Sequence, residues 1–213
     1  MKVALIGASG YTGTPILKEA LQRGFTVTAI ARNIDKIETE NENLTKVAVD
    51  VLDTDKLAEV LAGNDIVISS YNAGWANPDL YNAFIKGSEA VQAATKQAGV
   101  ERLLVIGGAG SLFIDGKQLV DSPEFPAEWK TGATAARDYL TELRTEEELD
   151  WTFLSPAIDL HPGEPTRKFR IGTESPVFDA DGKCAISVGD LAVAIVDEVE
   201  NKQFAKQRFT VGY

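Results

Sequence analysis

Cysteine and histidine are almost absent from this chain, which has one of each, Cys184 and His161, among 213 residues. A lone cysteine cannot close an intrachain disulfide, and a lone histidine leaves no His/Cys cluster of the kind that holds a transition metal. We therefore predict no metal site, and the low cysteine content favours a cytoplasmic location.

Basic residues are also in deficit, because 21 lysines and arginines face 32 aspartates and glutamates and leave a net charge of −11. Nucleic-acid phosphates require a surface rich in Lys and Arg, so this balance argues against a nucleic-acid partner. No apolar run has the length of a membrane span, and residues 1–6 have the pattern of a strand rather than of a signal peptide. We predict one domain over residues 1–213, with no membrane partner.

A glycine turn with the spacing Gly-x-x-Gly-x-x-Gly directly follows the apolar residues 3–6. Gly7 permits a tight turn, Gly10 allows the backbone to approach a pyrophosphate, and Gly13 allows the next helix to pack closely. That helix, predicted over residues 12–23, would direct its positive N-terminal end at the phosphates. The spacing thus predicts dinucleotide binding, and the alternative is a plain junction between a strand and a helix.

Strand-like and helical segments alternate along the chain, which predicts an α/β fold with a mostly parallel sheet and helices on both faces. Right-handed crossovers favour a Rossmann-type, doubly wound sheet with the strand order 3-2-1-4-5-6, and ligands then bind at the carboxyl ends of the strands. The predicted strands are 2–6, 26–31, 44–49, 66–70, 103–106 and 151–154, and the predicted helices are 12–23, 54–61, 78–97 and 132–148.

The end of the second predicted strand indicates which nucleotide binds. Proteins that prefer NAD usually place an acidic residue there, whereas this chain has Arg32. A guanidinium can hold a 2′-phosphate with two hydrogen bonds, so we predict NADP(H) over NAD(H), unless Arg32 pairs with Asp35 or Glu38 instead. Asp50 ends the third strand, where it would accept from adenine or cap the helix near Thr54.

The loops after the fourth and fifth predicted strands should line the opposite part of the site. In the first loop, Tyr71 and Trp75 can form walls for a flat substrate or serve as packing residues. In the second, the small residues 107–110 should leave room for a bound ring, and Ser111 follows as a hydroxyl donor. The long connection over residues 113–129 resembles a lid, and its ends supply Phe113 and Trp129 as further candidate walls.

The stretch 157–187 is the least regular part of the sequence, and it follows the sixth strand on the ligand side. His161 in this stretch can protonate a substrate or face solvent. Arg167, Lys168 and Arg170 form a small basic cluster that would hold a phosphate, such as that of FMN, or pair with nearby acids.

The chain resembles the atypical short-chain dehydrogenase/reductase superfamily at residues 7–13, Arg32, 49–51, 99–107 and 154–157. Within it, the chain is most similar to the NAD(P)H-binding group related to NmrA and to NADH-flavin reductases, and its layout is similar to that of flavin reductase/biliverdin reductase B. Many members of this group are named NAD-dependent epimerase/dehydratase. The resemblance implies a cofactor site comprising Gly7, Ser9, Gly10, Tyr11, Thr12, Gly13, Arg32, Asp50, Val51, Ser70, Tyr71, Asn72, Gly107, Pro156 and Ala157.

The chain lacks the Tyr-x-x-x-Lys pair that many enzymes of this superfamily use for proton transfer, because none of its five tyrosines has a lysine four residues later. A positioned acid or base contributes about 10²- to 10⁴-fold to carbonyl chemistry, so this absence disfavours carbonyl reduction and sugar epimerisation. Hydride transfer from NADPH to a flat conjugated acceptor, a flavin or a quinone, has no such requirement. The alternatives are an NmrA-like redox sensor that acts through a protein partner and, less favoured, a sugar epimerase/dehydratase. The sequence leaves the oligomeric state open.

Overall fold

A computed structural model describes all residues 1–213 and contains an eight-stranded central sheet. The strands of the chain are β1 Lys2–Ile6, β2 Thr26–Ala31, β3 Leu44–Ala48, β4 Ile66–Ser69, β5 Arg102–Ile106, β6 Phe113–Ile114, β7 Lys117–Gln118, β8 Asp150–Ser155, β9 Asp159–His161, β10 Arg170–Gly172, β11 Ala185–Ser187 and β12 Gln207–Gly212. The helices are α1 Gly13–Gln22, α2 Thr54–Leu61, α3 Leu80–Gln97, α4 Ala127–Leu143 and α5 Val188–Asn201.

The central sheet has the order β10-β12-β8-β5-β4-β1-β2-β3, and every pairing in it is parallel except that of β10 with β12. The part from β3 to β8 is the predicted 3-2-1-4-5-6 order, and β12 and β10 extend it. The Rossmann-type α/β fold class is therefore confirmed. Ligand-side loops follow β1, β2, β3, β4, β5 and β8 at one edge of this sheet, which we call the carboxyl edge.

Apolar side chains cover both faces of the sheet, as a parallel sheet requires. One core cluster joins the sheet to α1 and α5 through residues such as Leu17 and Ile195. The other joins it to α2, α3 and α4 through residues such as Leu57 and Tyr139. None of the five helices combines the length and the apolar character needed to cross a membrane.

Helix α5 and strand β12 were not among the predicted segments, and neither were the short strands β6, β7, β9, β10 and β11. Helix α5 is buried over most of its length. Ser187 begins this helix by accepting a hydrogen bond from the Asp190 amide at 3.0 Å. The stretch 157–187 is also more regular than expected, because it contains β9, β10 and β11.

Helix α4 runs over Ala127–Leu143, so the predicted range 132–148 was displaced toward the C-terminus. Gly132 does not begin the helix but lies inside it, where a Cβ atom would come within 2.6 Å of the Trp75 ring. Glu146 lies beyond the helix and accepts hydrogen bonds from the amides of Glu148 and Leu149. The acidic run 146–148 therefore forms a turn before β8 instead of a helix end.

Candidate functional site

The glycine turn (residues 7–13) joins β1 to α1 at the carboxyl edge of the sheet. Gly7 has a φ of +77°, and a Cβ atom there would lie 2.3 Å from the main-chain oxygen of Ser70. A Cβ atom on Gly13 would lie 2.0 Å from the main-chain oxygen of Gly7. Both positions therefore require glycine because of the protein's own packing.

Gly10 has a different surrounding, because a Cβ atom there would meet only the Gly7 oxygen, at 3.1 Å, and the residue is exposed. The absence of a side chain at Gly10 keeps the outer side of the turn open. On this turn four backbone N–H groups donate to no acceptor in the protein, and α1 has no acidic residue in its first turn. These N–H groups belong to Ser9, Tyr11, Thr12 and Gly13. Free donors at a helix N-terminus can bind the oxygens of a pyrophosphate.

The loop after β4 is tied to the glycine turn by a hydrogen bond of 2.6 Å between the hydroxyls of Thr12 and Ser70. The next residue, Tyr71, turns its ring toward α3, where its hydroxyl donates to the Ala83 oxygen at 2.9 Å and its ring fills the space beside Gly87. Tyr71 is therefore a packing residue, the second of the two readings of its sequence position. Asn72 turns the loop by accepting from the Gly74 amide at 2.7 Å.

Arg32 lies directly after β2, is exposed, and forms no ion pair or hydrogen bond within the protein. The predicted alternative of a pair with Asp35 or Glu38 is not found. Burial raises the pKa of the Tyr71 phenol, while the charge of Arg32 lowers it and that of Asp50 raises it, which places all three groups in one electrostatic neighbourhood. The end of β2 thus presents a free cation.

Asp50 and Val51 occupy the loop after β3. The Asp50 carboxylate accepts from the Leu52 amide at 3.1 Å, whereas α2 is capped by Asp53, which accepts from the Lys56 amide at 3.3 Å. The alternative of Asp50 as the cap of α2 is therefore wrong. Val51 is buried under the loop.

Lys36 is a candidate that the sequence reasoning missed. It ends a short 3-10 helix, Ile34–Lys36, that begins two residues after Arg32, and its side chain has no carboxylate partner. With Lys18 of α1, which also lacks a partner, it lines a groove of about 420 Å³ between α1 and the β2–β3 connection. The signal that could have found Lys36 is that it is a second cation in the connection that begins with Arg32, after β2.

The glycines after β5 were expected to leave room for a bound ring, but the protein fills much of that space itself. A Cβ atom on Gly107 would lie 1.8 Å from the Phe153 ring, and one on Gly110 would lie 2.9 Å from the Ala133 side chain. Pro156 and Ala157, which follow β8 beside this loop, are buried. Close packing of the loop against β8 and α4 is what requires these glycines.

Ser111 differs from the expectation of an accessible hydroxyl donor, since its side chain is only 1 % exposed. Its hydroxyl lies 3.3 Å from that of Ser155 and accepts from the buried Arg208 guanidinium at 3.2 Å. Arg208 in turn forms an ion pair with Glu174. The Ser111 side chain thus connects the β5 loop to β8 and β12 and does not line an open groove.

Trp75 and Trp129 form an exposed aromatic pair, with ring centroids 4.8 Å apart and an interplanar angle of 87°. Trp75 follows β4 and Trp129 lies in the first turn of α4, so the pair stands at the carboxyl edge; the two side chains are 52 % and 48 % exposed. Edge-to-face packing of this kind orients both rings while leaving apolar surface free. Phe113 begins the β6–β7 hairpin and makes no ring contact with the pair.

The two alternatives for the basic cluster 167–170 were a phosphate site and pairing within the protein, and the second holds for Arg167. The Arg167 guanidinium binds both carboxylate oxygens of the buried Glu19 at 2.9 Å, and Arg170 donates to the main-chain oxygens of Phe178 and Tyr213. Burial raises the pKa of Glu19, but hydrogen bonds from Arg167 and Arg23 outweigh it and hold the pKa below its ordinary value. Of the three predicted ligands, only Lys168 keeps a free charge.

His161 lies in β9, half-buried, with its Nδ1 atom 3.0 Å from the Pro162 oxygen and its ring centroid 6.2 Å from that of Tyr213. The neighbouring Leu160 oxygen accepts from the Tyr11 hydroxyl at 3.3 Å, so β9 lies beside the glycine turn. No three His, Cys, Asp or Glu side chains are grouped so as to hold a metal ion.

A family model described as NAD(P)H-binding matches residues 7–202. Among curated proteins, the uncharacterized protein YwnB of Bacillus subtilis (strain 168) is 38 % identical over 216 residues, which cover 99 % of this chain and 98 % of YwnB. The family model thus extends from the glycine turn to the end of α5, and the similarity to YwnB covers nearly the whole chain.

Two solved structures are similar over the whole chain. One, from Bacteroides thetaiotaomicron and named as a candidate epimerase, is 44 % identical with a TM-score of 0.94 and covers 100 % of this chain and 96 % of its own. The other, from Streptococcus pneumoniae TIGR4 and named as a candidate NADH-flavin reductase, is 36 % identical with a TM-score of 0.87 and covers 100 % and 99 %. The fold is thus shared along the entire length.

Proposed function

We propose a function from one premise: the chain belongs to the NAD(P)H-binding family, whose model matches residues 7–202. We infer that it is an oxidoreductase that prefers NADPH to NADH and transfers a hydride to a flat conjugated acceptor, a flavin or a quinone. A cytoplasmic location is part of the same proposal.

The residues of the glycine turn fit the cofactor's pyrophosphate. The free amides of Ser9, Tyr11 and Thr12 would donate to its oxygens, and the open side of Gly10 would admit it next to the backbone. Asp50 would accept from the adenine amino group, since only one of its carboxylate oxygens accepts a hydrogen bond within the loop. In this proposal, these residues bind and orient the dinucleotide, and none of them transfers a proton.

The observation that carries the NADPH preference is the unpaired guanidinium of Arg32 in a protein with a net charge of −11. A cation that has no partner in the fold is free to hold the 2′-phosphate that distinguishes NADPH from NADH. Each charge-assisted hydrogen bond to that phosphate is worth roughly 1.5–3 kcal/mol. Lys36, in the same β2–β3 connection, would add to the same positive potential.

Hydride transfer to the acceptor requires that the two rings be positioned against each other more than it requires a proton donor in the protein. Bound NADPH supplies the hydride, and the acceptor takes its remaining proton from water to complete a two-electron reduction. The aromatic pair, Trp75 and Trp129, would hold the acceptor ring by stacking and keep water from its face. The absence of a Tyr-x-x-x-Lys pair is consistent with a reaction that needs no proton donor from the protein. The similarity to a candidate NADH-flavin reductase supports hydride transfer to such an acceptor.

Replacement of Arg32 by Glu tests the proposal. We expect the Kd for NADPH, measured by titration calorimetry, to rise about 100-fold, since a repelled 2′-phosphate replaces a bound one. The Kd for NADH should change less than about threefold, since NADH has no such phosphate. Lys86→Glu, the same change of charge sign on α3, is the control. An unchanged NADPH Kd in the Arg32 variant would remove the basis for the proposed preference.

A further inference from the structure

We propose that the acceptor is uncharged: a planar conjugated ring system without a phosphate or other anionic group. This inference rests on the proposed hydride transfer and names the class of acceptor for that site. It follows from the way in which the protein distributes its free cations between two parts of the carboxyl edge. We call these the nucleotide end (residues 7–13 with Arg32 and Lys36) and the acceptor end (the loop 71–79, the loop 107–111 and residues 121–130).

The arginine that contacts the acceptor end, Arg137 of α4, is already engaged within the fold. Arg137 pairs with Asp121 at 3.2 Å and with Asp138 at 2.5 Å. A phosphate on the acceptor would have to displace these two aspartates before it could bind this guanidinium.

Free charge around the aromatic pair is mostly negative. Residues 121–130, which lead into α4 and contain Trp129, have two carboxylates outside any ion pair, those of Glu124 and Glu128, and one such cation, Lys130. Glu128 directly precedes Trp129, is exposed, and forms no ion pair. Asp79, at the start of α3, adds a further negative charge next to Leu80, which packs at Gly132 with Trp75.

The exposed surface that remains at the acceptor end is aromatic. Half of each tryptophan ring is accessible, and the T-shaped geometry presents one ring face and one ring edge. Stacking on such rings depends on polarisable area and does not require charge on the ligand. The acceptor end therefore selects a flat apolar ring and repels an anion.

The size of the repulsion sets the expected effect. In water, a unit charge 10 Å from another contributes about 0.4 kcal/mol, and about 0.15 M salt screens much of this. With two or three carboxylates facing a phosphate dianion at low salt, we expect a loss in kcat/KM of about three- to tenfold for the charged acceptor. The loss should shrink as salt is added, because both partners are exposed to solvent.

Two pairs of acceptors that share a ring and differ in charge test this directly. With NADPH at saturation, kcat/KM is measured for riboflavin against FMN, and for a naphthoquinone against its sulfonate. We expect the uncharged member of at least one pair to be favoured about three- to tenfold at low ionic strength, with a smaller ratio in salt. The pair that is turned over shows whether the ring is a flavin or a quinone.

A charge-reversal variant tests whether the preference for an uncharged acceptor arises at the acceptor end. Glu128→Lys should raise kcat/KM for FMN relative to riboflavin by about threefold, whereas Glu59→Lys, the same change on α2, should leave the ratio unchanged. Equal or better use of FMN and the sulfonate by the wild type, or an unchanged ratio in the Glu128 variant, overturns the inference while hydride transfer stands. No reduction of any of the four acceptors overturns the proposed function and this inference with it.

Discussion

At the nucleotide end, Arg32 and Lys36 reach solvent without a carboxylate partner, whereas at the acceptor end Arg137 is held between two aspartates. The first arrangement leaves cations free for a ligand, and the second uses them to fix loops and helices to one another. In a protein of net charge −11, an unpaired arginine is a stronger sign of phosphate binding than an arginine as such. The comparison teaches that the availability of a charge, rather than its presence, identifies a binding residue.

Gly10→Asp should have the largest effect on nucleotide binding. A carboxylate placed against the pyrophosphate would raise the Kd for both NADPH and NADH by about 1000-fold, since it adds repulsion and occupies the open side of the turn. Because a Cβ atom at Gly10 meets only one backbone oxygen, the variant should keep its Tm, measured by calorimetry. Gly13→Ala is the matched contrast: its Cβ atom would lie 2.0 Å from the Gly7 oxygen, so it should lower the Tm. Normal NADPH binding by Gly10→Asp would show that the turn is not the cofactor site.

Glu19→Gln tests whether Arg167 is structural. Loss of the carboxylate partner should lower the free energy of unfolding by about 2 kcal/mol at neutral pH, measured by urea denaturation. The pKa of Glu19 is lower in the folded protein than in the unfolded chain, so the stability it contributes is present above its ordinary pKa and is lost as pH falls through the folded value. The difference between variant and wild type should therefore disappear at acidic pH. A difference that does not change with pH would show that packing, not charge, is responsible.

Lys36→Glu should weaken NADPH binding by about tenfold, a smaller effect than that of Arg32→Glu, because a lysine adds charge but not a bidentate contact. The Kd for NADH should stay unchanged, and Lys56→Glu on α2 is the control for a general charge effect. Fluorescence titration measures all four constants. Equal weakening of NADPH and NADH by Lys36→Glu would place this lysine near the pyrophosphate rather than the 2′-phosphate.

Trp129→Leu should raise the KM for the acceptor about fivefold, because stacking of an aromatic ring is worth roughly 0.5–1.5 kcal/mol. The Kd for NADPH should not change, since Trp129 belongs to the acceptor end. Phe178→Leu, at another exposed aromatic side chain, is the matched control, and steady-state kinetics gives both values. A rise in the NADPH Kd of the Trp129 variant would show that the two ends are not separate.

Much of the fold and of the nucleotide end could be predicted from the sequence. The apolar pattern of neighbouring residues indicates the strands and helices, and the glycine spacing indicates the turn after β1. The bounds of β1, β2 and α2 agree with their predicted ranges, since each has a clear apolar period and a turn residue at its end. The free amides of the glycine turn likewise follow from glycine spacing. Helix α5, which is buried over most of its length, was not predicted.

The acceptor end was less predictable because its side chains are fixed by distant partners. Ser111 is separated from Arg208 by 97 residues, and Arg137 from Asp121 by 16, so no local pattern indicates that these groups are engaged. A sequence shows that a charge exists, and only the packed chain shows whether it is free.

NADPH oxidation by the purified protein, with riboflavin or a naphthoquinone as acceptor and NADH alongside, tests the central claim most directly. We predict saturable oxidation that depends on the acceptor, is faster with NADPH than with NADH at low concentration, and is abolished in Gly10→Asp. Tight binding of NADPH without oxidation by any of these acceptors would contradict a reductase and favour a redox sensor that acts through a protein partner.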